Sequence, residues 1–159
     1  MSGTFSQLYV QIVFAVKGRA GLIESHWETD LHKYISGIVR QKGQKLIVIN
    51  GMPDHLHLLI GMTPSCCLSD LVREIKKSSN KYINEKRFTS FRFQWQEGFG
   101  AFSYHQSNLE QVIQYIENQK IHHTQRSFRE EYIDLLRMFG IPFKVEYLFD
   151  GIDEDPERV

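Results

Sequence analysis

The sequence predicts an α+β fold: a ferredoxin-like βαββαβ antiparallel sheet with helices on one face, followed by two additional C-terminal helices. Three observations lead to this fold class. Alternating apolar residues mark four short strands, apolar residues three and four apart mark two helices between them, and two more helical segments follow the last strand. The 159 residues contain no linker-like stretch, so we expect one domain over residues 1–148 and an acidic tail over residues 149–159.

The first half of the chain predicts the order strand, helix, strand, strand. Apolar residues alternate through "QLYVQIVFAV" (7–16), as on a strand. Residues 26–42 carry an apolar stripe of helical period that ends at Gly43. "KLIVIN" (45–50) and residues 55–62 predict two further strands joined by a short turn. This half therefore forms a βαββ unit.

The second half predicts a helix to about Lys86, a strand within residues 91–104 and two further helices. The strand segment "FRFQWQEGFGAFSY" is aromatic and punctuated by glycine, which is typical of a strand that bends. The two helices cover about residues 108–123 and about residues 128–139. Each begins at a Ser-x-x-Glu capping pattern, Ser107 with Glu110 and Ser127 with Glu130.

Composition indicates a folded protein of the cytoplasm. Hydrophobic residues make up 42% and charged residues 24% of the chain, as in ordinary globular domains. The apolar start of the chain is short and follows polar residues, so it predicts neither a signal peptide nor a membrane span. Cys66 and Cys67 are adjacent, which excludes a disulfide framework and a four-cysteine zinc site.

Charge is unevenly distributed although the formal net charge is zero. Residues 73–92 include seven basic and two acidic residues, whereas residues 129–159 include four basic and nine acidic ones. Such an asymmetry allows one face to bind a polyanion. A solvated helix face beside an acidic tail explains the same pattern, and charge alone favours that simpler interpretation.

Two histidines interrupt an otherwise apolar strand in "GMPDHLHLLI". Because side chains alternate along a strand, His55 and His57 share one face, and Leu56, Leu58 and Ile60 share the other. Neighbouring imidazoles on one face can hold a metal ion, and an ordinary polar sheet face is the competing interpretation. Two ligands are too few for a catalytic metal, which usually has three from the protein.

A polar ridge follows in the helix that contains "YIENQKIHH". At about 100° per residue, Tyr115, Gln119 and His122 lie together beside the apolar stripe of this helix. Tyr115 and Gln119 are one turn apart and stack on one face. Taken alone, Tyr115 is more often a boundary aromatic residue with its hydroxyl in water.

Together the two motifs predict a metal-assisted tyrosine nucleophile. A metal held by His55, His57 and a third polar ligand such as Gln119 would polarise a phosphoryl oxygen. Tyr115 would then attack phosphorus and form a phosphotyrosine bond. A free phenol has a pKa of about 10 and is a poor nucleophile at neutral pH, so it needs the metal or a base. His122 is a candidate for that assisting role.

With both motifs in place, the sequence resembles the HUH single-tyrosine transposases encoded by the smallest bacterial insertion sequences. The His-Leu-His of residues 55–57 matches the family's histidine–hydrophobic–histidine motif, and Tyr115 with Gln119 matches its nucleophile and third metal ligand. The similarity extends over most of the chain. It includes "YVQIVFAVKGR", "SDLVREIKKSSNKYINE" and "SFREEYIDLLRMFGI".

This resemblance implies a DNA transposase. Such an enzyme binds hairpins in single-stranded DNA at the ends of its element, cleaves through a 5′-phosphotyrosine intermediate and rejoins strands without a nucleotide cofactor. The resemblance also implies an obligate homodimer in which the tyrosine helix of one subunit completes the histidine site of the other. The implied metal is Mg²⁺, although two imidazole ligands favour Mn²⁺ or another transition ion.

The resemblance gives the basic stretch "KKSSNKYINEKR" a functional interpretation. It lies on the predicted second helix and its exit and mixes cations with polar and aromatic residues, which suits tracking a DNA backbone and stacking on unpaired bases. We expect Trp95, Phe99 and Phe102 to lie in the core instead. The predicted DNA contacts are Lys76, Lys77, Lys81 and Arg87.

Three other functions remain open at this point. A replication or mobilisation nickase would use the same metal and tyrosine, but the chain lacks a second tyrosine on the same ridge. A non-catalytic nucleic-acid-binding module, such as a domesticated transposase, would use the scaffold alone. A metal-dependent hydrolase would use the histidines to activate water, and it requires an acidic third ligand that the sequence does not place.

Overall fold

The structure is a computed structural model, and it describes residues 3–18, 22–122, 126–145 and 148. Within these residues, a βαββαβ unit is followed by a 3₁₀ turn and three helices. The elements are β1 (Leu8–Ala15), α1 (Ser25–Gln41), β2 (Lys45–Met52), β3 (His55–Met62), α2 (Leu68–Lys86), β4 (Gly100–Tyr104), the 3₁₀ turn Gln106–Asn108, α3 (Leu109–Glu117), α4 (Gln119–His122) and α5 (Phe128–Met138).

The sheet has the strand order β2-β3-β1-β4, and every neighbouring pair is antiparallel. The two central strands, β1 and β3, pair along their whole length, from Leu8 opposite Met62 to Ala15 opposite His55. This strand order and the βαββαβ succession confirm the predicted ferredoxin-like α+β fold.

Helices α1 and α2 cover one face of the sheet. Their apolar stripes pack on the side chains of β1 and β3 that point to this face. Trp95 is buried in the same cluster and Phe99 packs against it, while Phe102 is buried on the other face, as expected. Burial of this apolar surface is the main source of stability for the layer. Its most central members are Ile12, Phe14, Leu56, Leu58 and Ile60 from the strands with Trp27, Leu31, Ile35, Val72 and Ile75 from the helices.

Helices α3 and α5 cover the opposite face. Val13 and Phe102 pack against α5, and Leu59 packs against α3. Both faces of the sheet are therefore covered, and His55 and His57, which point to the second face, have no exposed surface. The predicted alternation of "GMPDHLHLLI" is confirmed, with the histidines enclosed between sheet and helices.

The predicted strand within residues 91–104 is shorter than its aromatic pattern indicates. Only its last part, β4, pairs continuously with β1. The part before it passes the end of β1, where Val16 and Trp95 form an isolated antiparallel bridge. Gly98 separates the two parts with a φ of +89°, a conformation that favours glycine and interrupts a strand.

The predicted helix over residues 108–123 is divided at Asn118 into α3 and α4. A side chain of the sheet stabilises this break. Nδ2 of Asn50 on β2 donates to the carbonyls of Ile116 and Glu117, at 3.0 Å in both cases. Carbonyls at a helix end lack partners within the helix, so these two bonds satisfy the end of α3 where it meets the sheet.

The two predicted helix caps have different outcomes. The cap at Ser127 is confirmed, because its Oγ accepts a hydrogen bond from the Glu130 N–H at 3.2 Å. The cap at Ser107 is wrong: the Ser107 N–H is itself a donor, to Nδ1 of His105 at 3.1 Å. A 3₁₀ turn precedes α3, so the side chain that caps this helical segment is His105, two residues before the predicted Ser107.

Within the described residues, none of the helices combines the length and the apolar character that crossing a membrane requires. The predicted acidic tail over residues 149–159 lies outside the described part of the chain.

Candidate active site

His55 and His57 lie side by side on the covered second face of β3, with ring centroids 5.1 Å apart. Both rings are bound at Nδ1: Asp54 Oδ1 lies 2.6 Å from His55 Nδ1, and Gln11 Nε2 lies 2.8 Å from His57 Nδ1. Gln11 is held in turn by the Tyr104 hydroxyl, which donates to its Oε1 at 2.7 Å. Both Nε2 atoms therefore face the space between sheet and helices, as in metal-ligating histidines whose other nitrogen has a fixed partner.

Helices α3 and α4 bring the predicted nucleophile and third ligand to the same space. Because α3 packs on Leu59, the half-buried Tyr115 stands edge-on to His57, with ring centroids 6.1 Å apart. Gln119, the first residue of α4, is fully buried, and its Oε1 lies 3.2 Å from His55 Nε2. The structure thus brings the four predicted site residues together.

A carboxylate that the sequence analysis did not assign occupies the centre of this site. Glu131 on α5 is fully buried, and its Oε1 lies 2.6 Å from His57 Nε2 and 3.6 Å from His55 Nε2. Its Oε2 accepts a hydrogen bond from the Tyr115 hydroxyl and another, of 3.3 Å, from Gln119 Nε2. One carboxylate therefore contacts all four of the predicted site residues.

The sequence did contain a signal for Glu131. Phe128, Tyr132 and Leu135 form the buried stripe of α5, and residue 131 falls within that stripe at helical spacing. A charged residue inside an apolar stripe is rarely buried without a partner, so its position predicts one. The partner itself, His57, is 74 residues away in sequence, and only the packing of α5 on the sheet reveals it.

Burial and neighbouring charges shift the pKa values of His55 and Tyr115. Burial lowers the pKa of His55, but hydrogen bonds and charges from Asp54 and Glu131 outweigh it and raise the pKa to about 8. Burial, and after it the charge and hydrogen bond of Glu131, raises the pKa of Tyr115 well above its usual range. Arg126 opposes this shift, since its Nη2 donates to the Tyr115 hydroxyl oxygen at 3.2 Å. These protein groups by themselves keep the Tyr115 hydroxyl protonated at neutral pH.

The side chains at this site fit a divalent metal ion. One potential ligand atom from each of His55, His57 and Glu131 lies within 4.8 Å of the others, and all three residues are buried. Gln119 Oε1 adds a fourth donor beside His55. Imidazoles suit Mn²⁺ and similar ions, and the oxygen donors bring the set closer to what Mg²⁺ prefers.

Three of the four predicted DNA contacts line an open groove beside the C-terminal half of α2. Lys77, Lys81 and Arg87 are exposed there, and Phe91 lines the same groove with 44% of its surface exposed. Because α2 follows β3 and returns across the sheet, its C-terminal half lies at the end of the sheet where β3 begins with His55. The groove therefore lies at the same end of the sheet as the histidine pair, on the side of the first helix layer.

Lys76, the fourth predicted contact, is placed differently. Its Nζ donates to the carbonyls of Gln96, at 2.8 Å, and Gly98, and it lies 5.5 Å from the centroid of the Phe14 ring. Burial lowers the pKa of this amine to about 8, against a smaller raising effect of Glu97. Its contacts in the structure hold the segment before β4 on α2.

The remaining expectations concern His122 and the second subunit. His122 is the last residue of α4, and its side chain lies outside the described part of the chain. The resemblance implied that a partner subunit supplies the tyrosine. In this chain Tyr115 instead contacts Glu131 and stands beside His57 of the same chain. Within this single chain, Tyr115 therefore lies beside the chain's own histidine pair.

The sequence of residues 4–119 matches the family described as "Transposase IS200 like", which is well over half of the chain. The chain belongs to the IS200-like transposase family. The match runs from before β1 to the first residue of α4 and includes His55, His57, Tyr115 and Gln119. It confirms the resemblance to single-tyrosine transposases of insertion sequences, and with it DNA as the class of substrate. Glu131 and the rest of α5 lie beyond the matched residues.

Several known proteins are similar to this IS200-like transposase. The ISDra2 transposase TnpA of Deinococcus radiodurans is 26% identical over 124 residues, which are 74% of this chain and 87% of that protein. The crystal structure of a D. radiodurans R1 protein described as a transposase has a TM-score of 0.60 at 25% identity and covers 75% of this chain and 95% of that chain. A REP-associated tyrosine transposase bound to a REP hairpin has a TM-score of 0.59 at 16% identity, over 100% of this chain and 99% of that chain. This last likeness shows a shared fold that includes the C-terminal helices.

Proposed function

We propose that this IS200-like transposase binds hairpins in single-stranded DNA at the ends of its element, cleaves one strand with Tyr115 and rejoins strands through a 5′-phosphotyrosine intermediate. The observation that carries the proposal is that the Tyr115 hydroxyl donates to a buried carboxylate that also contacts both histidines. Nucleophile and metal ligands thereby meet in one space, as metal-assisted attack on a phosphodiester requires. Transesterification needs no nucleotide cofactor, because the phosphotyrosine bond keeps the energy of the phosphodiester.

His55, His57 and Gln119 would hold the metal ion in this proposal, through both Nε2 atoms and the amide Oε1. Asp54 and Gln11 support this assignment, since they hold the two imidazoles from behind. A divalent ion, Mg²⁺ or Mn²⁺, would supply Lewis-acid stabilisation of charge on a phosphoryl oxygen.

Tyr115 performs strand transfer in two opposite steps. Its oxygen attacks phosphorus, the bond from phosphorus to the 3′ oxygen breaks, and the departing strand end takes up a proton and leaves as a 3′ hydroxyl. The phenol proton passes to Glu131 Oε2, which already accepts its hydrogen bond. Arg126, which donates to the same phenol oxygen, stabilises the negative charge that develops there. Attack by a second 3′ hydroxyl on the phosphotyrosine joins the strands and releases Tyr115.

DNA hairpins are the proposed partner for two reasons. A transposase of the same fold is bound to a REP hairpin. In this chain, the groove with Lys77, Lys81 and Arg87 offers cations and an exposed aromatic ring at the histidine end of the sheet. Lys76 remains a predicted DNA contact. Its substitution should weaken DNA binding less than substitution of the other three, because its amine already donates to two backbone carbonyls.

Three further predictions belong to this proposal. The protein would act in the cytoplasm, where its DNA substrate lies. His122 would assist proton transfer from the end of α4. The chain would form a homodimer. The resemblance implies that its sites are completed in trans, and the position of Tyr115 beside His57 of its own chain supports completion in cis.

Formation of a covalent adduct tests the proposal. Incubation with end-labelled hairpin-bearing single strands and Mg²⁺ or Mn²⁺ should give a protein–DNA adduct that survives denaturation. Tyr115→Phe should lose both adduct and cleavage, because phenylalanine has no attacking oxygen. Tyr34→Phe, which removes a hydroxyl from a partly exposed ring on α1, is the matched control and should retain both. Cleavage by Tyr115→Phe at the parent rate would show that the tyrosine mechanism is wrong.

A metal-dependent hydrolase is the second candidate, because Glu131 would supply the acidic third ligand that this class requires. It predicts cleavage without an adduct, and that cleavage persists in Tyr115→Phe. The same experiment also distinguishes a nickase from a DNA-binding module. Cleavage with an adduct but without rejoining indicates a nickase, and binding without cleavage indicates a non-catalytic DNA-binding module.

A further inference from the structure

We propose that Glu131 is itself a ligand of the metal ion and raises the affinity of the site for hard divalent cations relative to softer ones. The inference rests on the proposed function, in which His55, His57 and Gln119 hold that ion. It adds a carboxylate from α5, an element that lies beyond the residues matching the family. The role of the α5 segment would then be to complete the metal site, as well as to cover the sheet.

The position of Glu131 Oε1 suits coordination. It lies 2.6 Å from His57 Nε2 and 3.6 Å from His55 Nε2. Atoms that each bind one Mg²⁺ or Mn²⁺ at about 2.1 Å lie about 3 Å apart in an octahedral shell. The two observed distances bracket this value, and the three ligand atoms lie within 4.8 Å of one another, so movements of these side chains would bring the three atoms around one ion. Gln119 Oε1, 3.2 Å from His55 Nε2, already has the spacing of a fourth ligand.

Charge balance gives an independent reason for a carboxylate ligand. Two neutral imidazoles and an amide leave both positive charges of a divalent ion uncompensated, and burying such a charge is strongly unfavourable. Asp54 compensates in part through His55, but its side chain is 30% exposed and it contacts the outer nitrogen of the ring. Glu131 is fully buried and faces the inner nitrogens, so it removes one positive charge inside the site. A phosphate of the bound DNA would remove the other.

The surroundings of Glu131 hold the carboxylate in this position. One turn before it on α5, Phe128 stacks on the His55 ring with centroids 4.0 Å apart and planes 18° apart. The Tyr115 hydroxyl and Gln119 Nε2 both bind Oε2, which leaves Oε1 directed at the histidines. The carboxylate cannot turn away from the histidines without breaking both of these hydrogen bonds.

A carboxylate ligand would change which divalent metals the site prefers. Imidazole is a borderline ligand that suits Co²⁺ and Zn²⁺ better than Mg²⁺, whereas a carboxylate oxygen is the ligand that Mg²⁺ prefers. Removing the negative charge of Glu131 should therefore weaken the binding of Mg²⁺ more than the binding of Co²⁺. Retention of the same metal preference in a variant without the carboxylate would oppose the proposal.

Metal binding by the full chain without DNA provides the test. Free Mn²⁺ is followed by electron paramagnetic resonance during titration of the parent, Glu131→Gln and Glu130→Gln, and competition with Mg²⁺ and Co²⁺ gives the preference. Glu131→Gln keeps the size of the side chain and removes its charge, and its Kd for Mn²⁺ should rise about 10-fold or more. Glu130→Gln removes the same charge from the neighbouring exposed position on α5 and should bind Mn²⁺ like the parent.

The outcomes separate this proposal from the function on which it rests. Parent-like Mn²⁺ affinity in Glu131→Gln overturns it, even if adduct formation slows, because Glu131 would then act on the Tyr115 hydroxyl and not on the metal ion. A parent chain that binds no Mn²⁺ contradicts the metal site as a whole. If circular dichroism shows that Glu131→Gln does not fold, Glu131→Asp provides the second measurement. Its shortened carboxylate should weaken Mn²⁺ binding while keeping the parent's ratio of Mg²⁺ to Co²⁺ affinity.

Discussion

At the scale of single residues, burial distinguishes the charge at the candidate active site from the charges of the proposed DNA-binding groove. Glu131 is fully buried and accepts hydrogen bonds from Tyr115 and Gln119, so salt screens its electrostatic interactions much less than those of an exposed charge. Lys77 and Lys81 are exposed, so their attraction for DNA is screened by salt. The two kinds of charge therefore predict different responses to ionic strength.

Removing the exposed cations of the groove should weaken DNA binding and its salt dependence together. Each cation that no longer neutralises a phosphate lowers the magnitude of the slope of log K against log salt concentration by about 0.7 on single-stranded DNA and by about 0.9 on duplex DNA such as a hairpin stem. Fluorescence anisotropy with a labelled hairpin at several salt concentrations measures both quantities. The variant replaces Lys77, Lys81 and Arg87 by Ala.

A matched control removes three exposed cations at the other end of the first helix layer. These residues are Arg40, Lys42 and Lys45. The Gln44–Thr63 hydrogen bond places them near the start of α2, away from the groove. Because both triple variants lose the same charge, a general effect of net charge predicts equal slopes. Equal slopes would therefore contradict a specific role of the groove.

At the scale of elements, the β2–β3 hairpin positions the helices that complete the site. Asn50 lies opposite His57 in the sheet, and its side chain binds the end of α3. Lys120 on α4 donates to the Gly51 carbonyl at 3.1 Å and to Glu28 of α1 at 2.9 Å. The strand that pairs with the histidines therefore also holds the helices that present Tyr115 and Gln119.

Gly51→Ala should disturb this hairpin. A Cβ at position 51 would overlap the His55 carbonyl oxygen and lie 3.0 Å from Leu56 Cα, so the backbone of β3 must shift. We expect a loss of about 1–3 kcal/mol in the free energy of unfolding, as for other overpacked sites. We also expect weaker Mn²⁺ binding, because His55 moves with its carbonyl. Urea unfolding and the metal titration measure the two effects.

Gly37→Ala is the matched control for that substitution. Gly37 is exposed on α1, and a Cβ there meets no atom within 4 Å. Alanine in an exposed helix should stabilise the protein by about 0.5–1 kcal/mol and leave metal binding unchanged. A Gly51→Ala protein with parent stability and parent metal affinity would show that the close approach at His55 does not constrain the site.

At the scale of the whole molecule, the sheet lies between two helical layers, and the candidate site lies between the sheet and the second layer. Tyr115, Gln119 and Glu131 come from three different helices of that layer. All three reach the histidines of the same chain. A single chain therefore contains the complete set of groups that the proposed reaction uses.

Mixing two inactive variants tests this cis arrangement. His55→Ala lacks a proposed metal ligand and Tyr115→Phe lacks the proposed nucleophile, so each is expected to form no adduct. In a mixed dimer with sites completed between subunits, one site would contain both His55 and Tyr115. In cis, every chain lacks one of them, so co-expressed variants should remain inactive in the adduct assay. Recovery of adduct in the mixture would show that the tyrosine acts in trans.

Local patterns were sufficient for much of the fold and for four of the five side chains that meet at the candidate site. Strand alternation placed His55 and His57 on the face opposite Leu56 and Leu58, and the helical period placed Tyr115 one turn from Gln119. These features depend on the geometry of one element at a time, which residues two to four apart already determine.

The sequence by itself determined the βαββαβ order, the face that carries the histidines and the ridge that carries the tyrosine. Only the tertiary structure decided that Glu131 joins them, that Tyr115 reaches its own chain's histidines and that Lys76 binds carbonyls of a neighbouring segment. The physical reason is that periodicity describes which way a side chain points from its own element. Which groups it then meets depends on how separate elements pack, through contacts between residues far apart in sequence.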